Sequence, residues 1–230
     1  MSFLSQHLAL PQVGHLETVY HIFAYLNKHE KSSIIFDPTD PVPITPITAK
    51  PDWSSFYDDL EEKLPPRMPE PLGNPVNIHV FVDANHAGNV VTRRSHTGIL
   101  VFVQNSPILW VSCRQSTVET STFGSEFVAL QHAKDVVVAL PYKLRMFGIP
   151  LERPAQVYCN NQGVVKNTSI PESVLSKKNN AINYHAVREA AAAGVLQVHK
   201  EDTAPNLAFF TKVLPIDRRR ELMGSILYNL

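Results

Sequence analysis

Cysteine is scarce in this chain, and its scarcity excludes two kinds of architecture. Only Cys113 and Cys159 occur among the 230 residues. Two cysteines cannot build the framework of several disulfides that holds small secreted domains together, and no CxxC pair with the spacing of a metal site is present. We therefore predict a reduced chain with an ordinary hydrophobic core, for which a hydrophobic fraction of 44% is sufficient.

Long apolar runs are missing as well. No stretch approaches the roughly 20 apolar residues that a membrane-spanning helix requires. The first ten residues lack the basic start and the apolar run of a signal peptide. These absences predict a soluble, intracellular protein without a membrane partner, and they leave cytoplasm and nucleus open as its location.

The chain also lacks a net charge, because 21 basic residues balance 21 acidic ones. A neutral chain does not hold nucleic acid by bulk charge alone. The two parts of the chain nevertheless differ. Residues 1–80 contain 5 Lys/Arg and 10 Asp/Glu, whereas residues 81–230 contain 16 and 11, which leaves a surplus of +5 in the second part. Any polyanionic partner is therefore expected to bind there.

Proline is abundant in this chain, and its distribution divides the sequence into segments. Ten of the 18 prolines fall within residues 38–75. Proline fixes φ and removes a backbone donor, so this stretch is predicted to be an extended linker. It separates a first segment at 1–37 from a domain at 76–215. A tail at 216–230, predicted to be helical, follows the domain.

The pattern of residues 76–215 is typical of an α/β domain. Three strands with short connections predict an antiparallel meander, and the later strands, separated by helices, predict parallel crossovers. The expected fold is a mixed five-stranded sheet, antiparallel and then parallel, flanked by helices. The predicted strands are 77–83, 98–103, 108–111, 156–159 and 195–200, the predicted helices are 122–147, 162–167 and 182–193, and Trp110 is assigned to the core.

Local patterns outside the sheet give four further expectations. Apolar residues at helical spacing predict an amphipathic helix at 16–28, and a short strand follows at 33–36. One helical turn is expected at 58–63 within the linker. A kink or break is expected near Val138, because Pro141 lies inside the long helix.

Two acidic residues stand where a metal site could form. Asp83 ends the first strand of the domain, and Glu126 lies in the first turns of the long helix. Ligands gather at strand ends in α/β sheets, and Mg²⁺ takes one or two carboxylates together with water and substrate phosphates. The same spacing also fits two solvated loop acids, which is the commoner arrangement.

Six short motifs are more specific than the two acidic residues alone. They resemble, in the same order, the motifs of the ribonuclease H domain in copia-type retrotransposon polyproteins. The resemblance covers residues 77–215, and residues 1–28 are similar, more weakly, to the end of the preceding reverse transcriptase. The motifs are Phe81-Val-Asp-Ala-Asn-His-Ala-Gly88, Arg93-Arg-Ser-His-Thr-Gly98, Pro107-Ile-Leu-Trp110, Ser125-Glu-Phe-Val-Ala-Leu130, Tyr158-Cys-Asn-Asn-Gln162 and Asn206-Leu-Ala-Phe-Phe-Thr-Lys212.

The resemblance implies a ribonuclease H-like fold with an N-terminal helical appendage. It also implies that the RNA strand of an RNA–DNA hybrid is cut by four carboxylates and two Mg²⁺ ions, with Mn²⁺ as an alternative. Asp83 and Glu126 match two of the catalytic, metal-binding carboxylates. Asn160 stands where the third belongs, and the fourth is missing because Ala208 is followed directly by Phe209. An amide brings no charge to a cation, so we predict a degenerate domain with impaired or absent nuclease activity.

Three alternatives stay open. A substitute acid, Glu201 or Asp202 at the end of the last strand, would leave an active ribonuclease H. A module without catalysis would still bind an RNA–DNA hybrid or another nucleic acid through basic side chains. An unfolded relic is the third alternative. The candidates for phosphate contacts, all placed in loops by the sequence, are Arg93, Arg94, Arg114, Lys177 and Lys178.

Overall fold

The computed structural model describes residues 2–41, 50–175, 178–201, 207, 215–224 and 226–228. None of the helices within those ranges is long and apolar enough to cross a membrane. In chain order the elements are α1 (Ser2–Ser5), α2 (Val13–Lys28), β1 (Ser33–Ile34), α3 (Ser54–Tyr57), β2 (Ile78–Asn85), β3 (His96–Val103), β4 (Ser106–Arg114), α4 (Thr122–Met146), β5 (Ala155–Cys159), α5 (Gln162–Ser169), α6 (Ala181–Ala192), β6 (Leu196–Lys200), α7 (Ile216–Met223) and β7 (Leu227–Tyr228), with a 3₁₀ turn at Lys178–Asn180.

A five-stranded mixed sheet in the order β4-β3-β2-β5-β6 forms the centre of the molecule. Strand β3 runs antiparallel to both of its neighbours, β2 and β4, whereas β5 and β6 run parallel to β2. The predicted mixed sheet and all five of its strands are confirmed. The register places Asp83 opposite Gly98, and it places Val82 beside Cys159.

Strand β2 is buried on both of its faces, because the two sets of alternating side chains meet different partners. Val80 and Val82 face the helices and belong to the main core, in which Phe127 and Leu130 of α4 also lie. Phe81 faces the other way and packs with an aromatic cluster on the outer face of the sheet. Burial on both faces gives the nearly continuous apolar run expected of a central strand.

Helix α4 continues from Thr122 to Met146 without interruption, so a break near Val138 is wrong, whereas a kink there stays a prediction. The Ser121 hydroxyl caps the helix by accepting a bond from the Gly124 amide at 3.2 Å. Pro141 lies inside the helix and is buried. Tertiary packing stabilises helices more than local propensity does, and here it outweighs the hydrogen bond that proline removes.

The proline-rich segment contacts the domain. Trp53 is buried, and its ring lies 4.8 Å from the guanidinium carbon of Arg188, which is also buried. Further along, Glu62 forms an ion pair with Arg145 of α4. The helical turn predicted at 58–63 is wrong: it lies at Ser54–Tyr57, where aromatic side chains can pack against α6. Residues 42–49 lie outside the described part of the chain.

The two ends of the chain meet. Strand β1 pairs antiparallel with β7, and the Ile35 amide donates to the Ile226 carbonyl at 2.9 Å. Beside this pair, the guanidinium of Arg219 lies 5.1 Å from the ring of Tyr25 in α2. The helices predicted at 16–28 and in the tail are therefore both present, although the tail helix ends at Met223. The division of the chain at residues 37 and 216 stays a prediction, and these contacts cross it.

Trp110, which the sequence assigned to the core, is 63% exposed. Its strand, β4, is the outermost strand of the sheet, so among the described residues no strand pairs with its other side. An apolar cavity of about 350 Å³ lies beside the Trp110 ring, between the outer face of the sheet and the C-terminal residues Met223 and Ile226. The prediction is wrong because burial of an apolar residue depends on the position of its strand in the sheet.

Candidate metal and nucleic-acid site

Asp83 lies near the end of the central strand β2 and is fully buried, with 0% exposure. The neighbouring strand β5 runs parallel to β2, and Val82 pairs with Cys159. The residues that follow this pair, Asp83 and Asn160, therefore leave the two strands side by side at one end of the sheet. This is the end at which ligands gather in α/β folds.

Glu126 reaches the same place from a different element. It lies in the first turns of α4, which packs against β2, and it is 5% exposed. Burial raises the pKa of the Cys159 thiol far above its usual range, and the negative charges of Glu126 and Asp83 raise it further. Both carboxylates are thus close enough to act electrostatically on this thiol.

Asn160, the amide in the position of the third carboxylate, directly follows β5 and is half-buried. The next residue, Asn161, caps helix α5, because its side-chain oxygen accepts from the amides of Gly163 and Val164 at 3.0 and 3.2 Å. This cap fixes the backbone immediately after Asn160. The position predicted as degenerate therefore lies at the strand end that carries Asp83.

Of the two proposed substitute acids, the described one is Glu201. Its amide donates to the Cys159 carbonyl at 3.0 Å, and its side chain is buried. Asp202, Ala208 and Phe209 lie outside the described residues. Among the residues that the structure describes, no three His, Cys, Asp or Glu side chains come together as a group that could hold a metal ion.

Gln115 is a site residue that the sequence reasoning missed. It is completely buried, and its side-chain nitrogen donates to the Ser125 carbonyl at 2.8 Å and to the Thr97 hydroxyl at 3.0 Å. It thereby joins β3 to the residue that precedes Glu126. A single glutamine directly after β4 gives no signal in the sequence, because its importance arises only from the contact with α4.

The predicted basic residues fall into two groups. Arg93 and Arg94 lie in the loop from β2 to β3, and Arg114 ends β4. The register pairs His96 with Arg114, and this puts all three arginines at the Asp83 end of the sheet. Lys178 is the first residue of the 3₁₀ turn that precedes α6. Asn180, the last residue of this turn, lies against the start of α4. Lys177 lies outside the described residues.

Comparison with known proteins gives a family relationship. No protein-family model matches the chain. It is similar to the retrovirus-related Pol polyprotein from transposon RE1 of Arabidopsis thaliana, with 30% identity over 136 residues, 59% of this chain and 9% of that polyprotein. It is also similar to the corresponding polyprotein from transposon TNT 1-94 of Nicotiana tabacum, with 29% identity over 148 residues, 63% of this chain and 11% of that polyprotein. The chain thus spans a small fraction of these relatives.

Solved structures were compared as well. An N-terminal RNase H domain from Mycobacterium tuberculosis, fused to maltose-binding protein, superimposes with a TM-score of 0.46 at 16% identity, over 65% of this chain and 98% of that one. LC11-RNase H1 in complex with an RNA/DNA hybrid gives 0.44 at 17% identity, over 56% and 88%. The chain is thus similar to a part of retrovirus-related Pol polyproteins from plant transposons, and its strand order β4-β3-β2-β5-β6 agrees with the ribonuclease H-like fold predicted from the sequence.

Proposed function

We propose that this chain is a degenerate ribonuclease H-like domain whose Mg²⁺-dependent cleavage of the RNA strand of RNA–DNA hybrids is impaired or absent. The observation that carries the proposal is the position of Asn160. It supplies a neutral amide at the strand end beside Asp83, where the family resemblance calls for a carboxylate. Its carbonyl oxygen remains a ligand for a hard cation but adds no negative charge.

The charges of the site support this proposal. Asp83 and Glu126 would hold the metal and offer two negative charges, whereas two Mg²⁺ ions carry four positive charges. Two unit charges 4 Å apart interact by about 4 kcal/mol at an effective dielectric constant of 20, so each lost carboxylate removes a stabilisation of that order before screening. When bound, such ions would activate water and stabilise the leaving oxygen of the phosphodiester.

The chain's own residues retain the positioning part of the site. Gln115 fixes the start of α4 against β3, and so holds the Glu126 backbone near the end of β2. Asp83, Glu126 and Cys159 are all buried, and both carboxylates lie close enough to raise the pKa of the Cys159 thiol. Because the backbone around the site is still held in position, we expect a carboxylate placed at residue 160 to restore metal affinity.

A non-catalytic nucleic-acid-binding module is the second candidate. Arg93, Arg94 and Arg114 lie at the end of the sheet that carries Asp83, where they would contact backbone phosphates. An active nuclease that uses Glu201 is less well supported, because no three acidic, His or Cys side chains gather into a metal-binding group among the described residues.

The test is cleavage of a labelled RNA–DNA hybrid by the full chain, with Mg²⁺ and separately with Mn²⁺, together with Mn²⁺ affinity measured by calorimetry. We expect little or no cleavage by the parent. We expect Asn160→Asp to bind Mn²⁺ about tenfold more tightly or better, because a full negative charge then faces the ion.

The matched control is Asn27→Asp, which adds the same charge on the exposed surface of α2 and should leave Mn²⁺ affinity unchanged. Efficient cleavage by the parent that Asp83→Asn abolishes would contradict the proposal and direct attention to Glu201 and Asp202. Equal effects of the two Asn→Asp variants would show that net charge alone, and not the strand-end position, governs metal binding.

A further inference from the structure

The first residues of the chain reach the candidate nucleic-acid site. Gln6 follows the short helix α1, yet its side chain lies against β3, β4 and the loop between β2 and β3. Its oxygen accepts from the side-chain nitrogen of Asn89 at 2.6 Å and from Nη1 of Arg114 at 3.3 Å. Its nitrogen lies 2.8 Å from Nε2 of His96, a buried residue of β3.

The two donors that meet at the Gln6 oxygen form a pair suited to an anion. A guanidinium and a neutral amide nitrogen converge on one acceptor position, which a phosphate oxygen fits as well as a carbonyl oxygen does. A hydrogen bond from Arg to a phosphate is stronger than one from Arg to a neutral carbonyl, because both partners are then charged. The Gln6 oxygen therefore binds these two donors more weakly than a phosphate oxygen would.

Asn89 is held in place as a donor by its own loop. Its side-chain oxygen accepts from the amides of Val91 and Thr92 at 3.1 and 2.8 Å, and this leaves the nitrogen directed at Gln6. Its backbone bonds to the carbonyl of Arg94 and the amide of Arg93, at 3.1 and 2.8 Å. The same residue thus shapes the loop that carries two of the predicted phosphate contacts.

Gln6 is followed by two exposed leucines. Leu8 and Leu10, which follow Gln6, are 79% and 80% exposed, so they bury almost no apolar surface. Displacing this segment therefore costs little of the hydrophobic stabilisation of the molecule.

We propose that Asn89 and Arg114 form a subsite for a backbone phosphate of the nucleic-acid partner, and that Gln6 occupies this subsite in the free chain. The N-terminal segment then competes with the partner for the Asp83 end of the sheet. This inference rests on the nucleic-acid partner of the proposed function, but it is independent of whether catalysis survives.

The test uses the full chain and a fluorescently labelled RNA–DNA hybrid, with affinity measured by anisotropy over a range of salt concentrations. Gln6→Ala empties the subsite and is expected to tighten binding about fivefold. It should also steepen the slope of log affinity against log salt by about 0.9, because one more phosphate is neutralised. Gln6→Glu places a carboxylate beside Arg114 and is expected to weaken binding below that of the parent.

Two further variants isolate the subsite. Gln12→Ala, at the start of α2, removes the same side chain from the same N-terminal segment and is expected to bind like the parent. Adding Arg114→Gln to Gln6→Ala is expected to cancel the gain. If Gln6→Ala binds the hybrid no more tightly than Gln12→Ala, or if none of the variants binds it, the proposal is overturned.

The source of the phosphate is tested by competition. Inorganic phosphate, compared with chloride at equal ionic strength, is expected to displace the hybrid from Gln6→Ala no better than chloride does. Stronger displacement by phosphate would overturn the assignment to a nucleic-acid backbone in favour of a site for free phosphate. Cleavage of the hybrid by the parent would contradict the proposed loss of catalysis and leave the subsite intact, so the two failures are distinguishable.

Discussion

His79 is a histidine that the fold keeps neutral. It lies on the outer face of the sheet, buried, with its ring stacked on Tyr158 at a centroid distance of 6.0 Å. Its Nδ1 is 3.3 Å from the tyrosine hydroxyl oxygen. Burial lowers the pKa of His79 to about 4, and the nearby positive charge of Arg153 and the neighbouring His199 act in the same direction.

This lowered pKa predicts a loss of stability in mild acid. Below pH 6.5 His79 is protonated in the unfolded chain but stays neutral in the folded chain. The contribution of His79 to stability is therefore complete above pH 6.5 and is lost as the pH falls to about 4. A shift of this size corresponds to at most about 3 kcal/mol. Urea unfolding between pH 7.5 and 4 should therefore show a shallower pH dependence in His79→Gln.

The control for this experiment is His21→Gln, which removes an exposed imidazole from α2. Its pH dependence should follow that of the parent. His199 also has a pKa lowered by burial, so some acid sensitivity should persist in His79→Gln. An unchanged slope in His79→Gln would show that the His79 ring accepts a proton without leaving its place on Tyr158.

At the scale of single elements, helix α4 contains a proline in its interior, Pro141, and still forms. Pro141 cannot donate to the helix, and proline is about 3 kcal/mol less favourable than alanine inside a helix. Because the helix is uninterrupted and Pro141 is buried, we expect Pro141→Ala to restore a hydrogen bond and to raise the free energy of unfolding by about 1–2 kcal/mol. Urea unfolding measures this gain.

Pro150→Ala is the control for that gain, because Pro150 lies after the helix and provides only a carbonyl, which accepts from Val76. It should not stabilise the chain. A loss of stability in Pro141→Ala would mean that the pyrrolidine ring fills its interior position better than a hydrogen-bonded alanine does.

The strands of the sheet were predictable from their apolar residues, whereas the position of each strand in the sheet was not. The apolar residues locate β2 and β4 but do not show which strand is at the edge, so Trp110 was assigned to the core although its strand is at the edge. Likewise, the motifs supplied Asp83, Glu126 and Asn160, whose roles stay predictions. They could not supply Gln115, or the contact between Gln6 and Arg114, because those bonds join residues far apart in the chain.

At the scale of the whole molecule, the two ends of the chain close over the outer face of the sheet. Strands β1 and β7 are two residues each, and neither has a signal strong enough to predict their pairing. Ile226 lies beside them and packs against the outer aromatic cluster that contains Phe81 and Phe102. One side chain thus connects the paired ends to the sheet.

We expect Ile226→Ala to release both ends together. The amide of Ile35, which donates to the Ile226 carbonyl, should lose protection from hydrogen exchange, while the amides of β2 stay protected. Ile216→Ala, which truncates a 55% exposed side chain at the start of α7, is the control and should change neither. If β2 loses protection as well, the ends and the sheet open as one cooperative unit.

The two cysteines have a practical consequence. Cys159 is completely buried and close enough to Asp83 and Glu126 for their charges to raise its pKa, whereas Cys113, on the edge strand, is half-buried. A thiol reagent should therefore reach Cys113 readily, and Cys159 only during excursions that part the sheet from α4. The rate of the second alkylation, read by mass spectrometry, then reports how often the carboxylate end of the sheet opens, and it would slow whenever a cation holds those carboxylates together. Alkylation of Cys159 in the unmodified chain therefore measures occupancy of this site without any assay of catalysis.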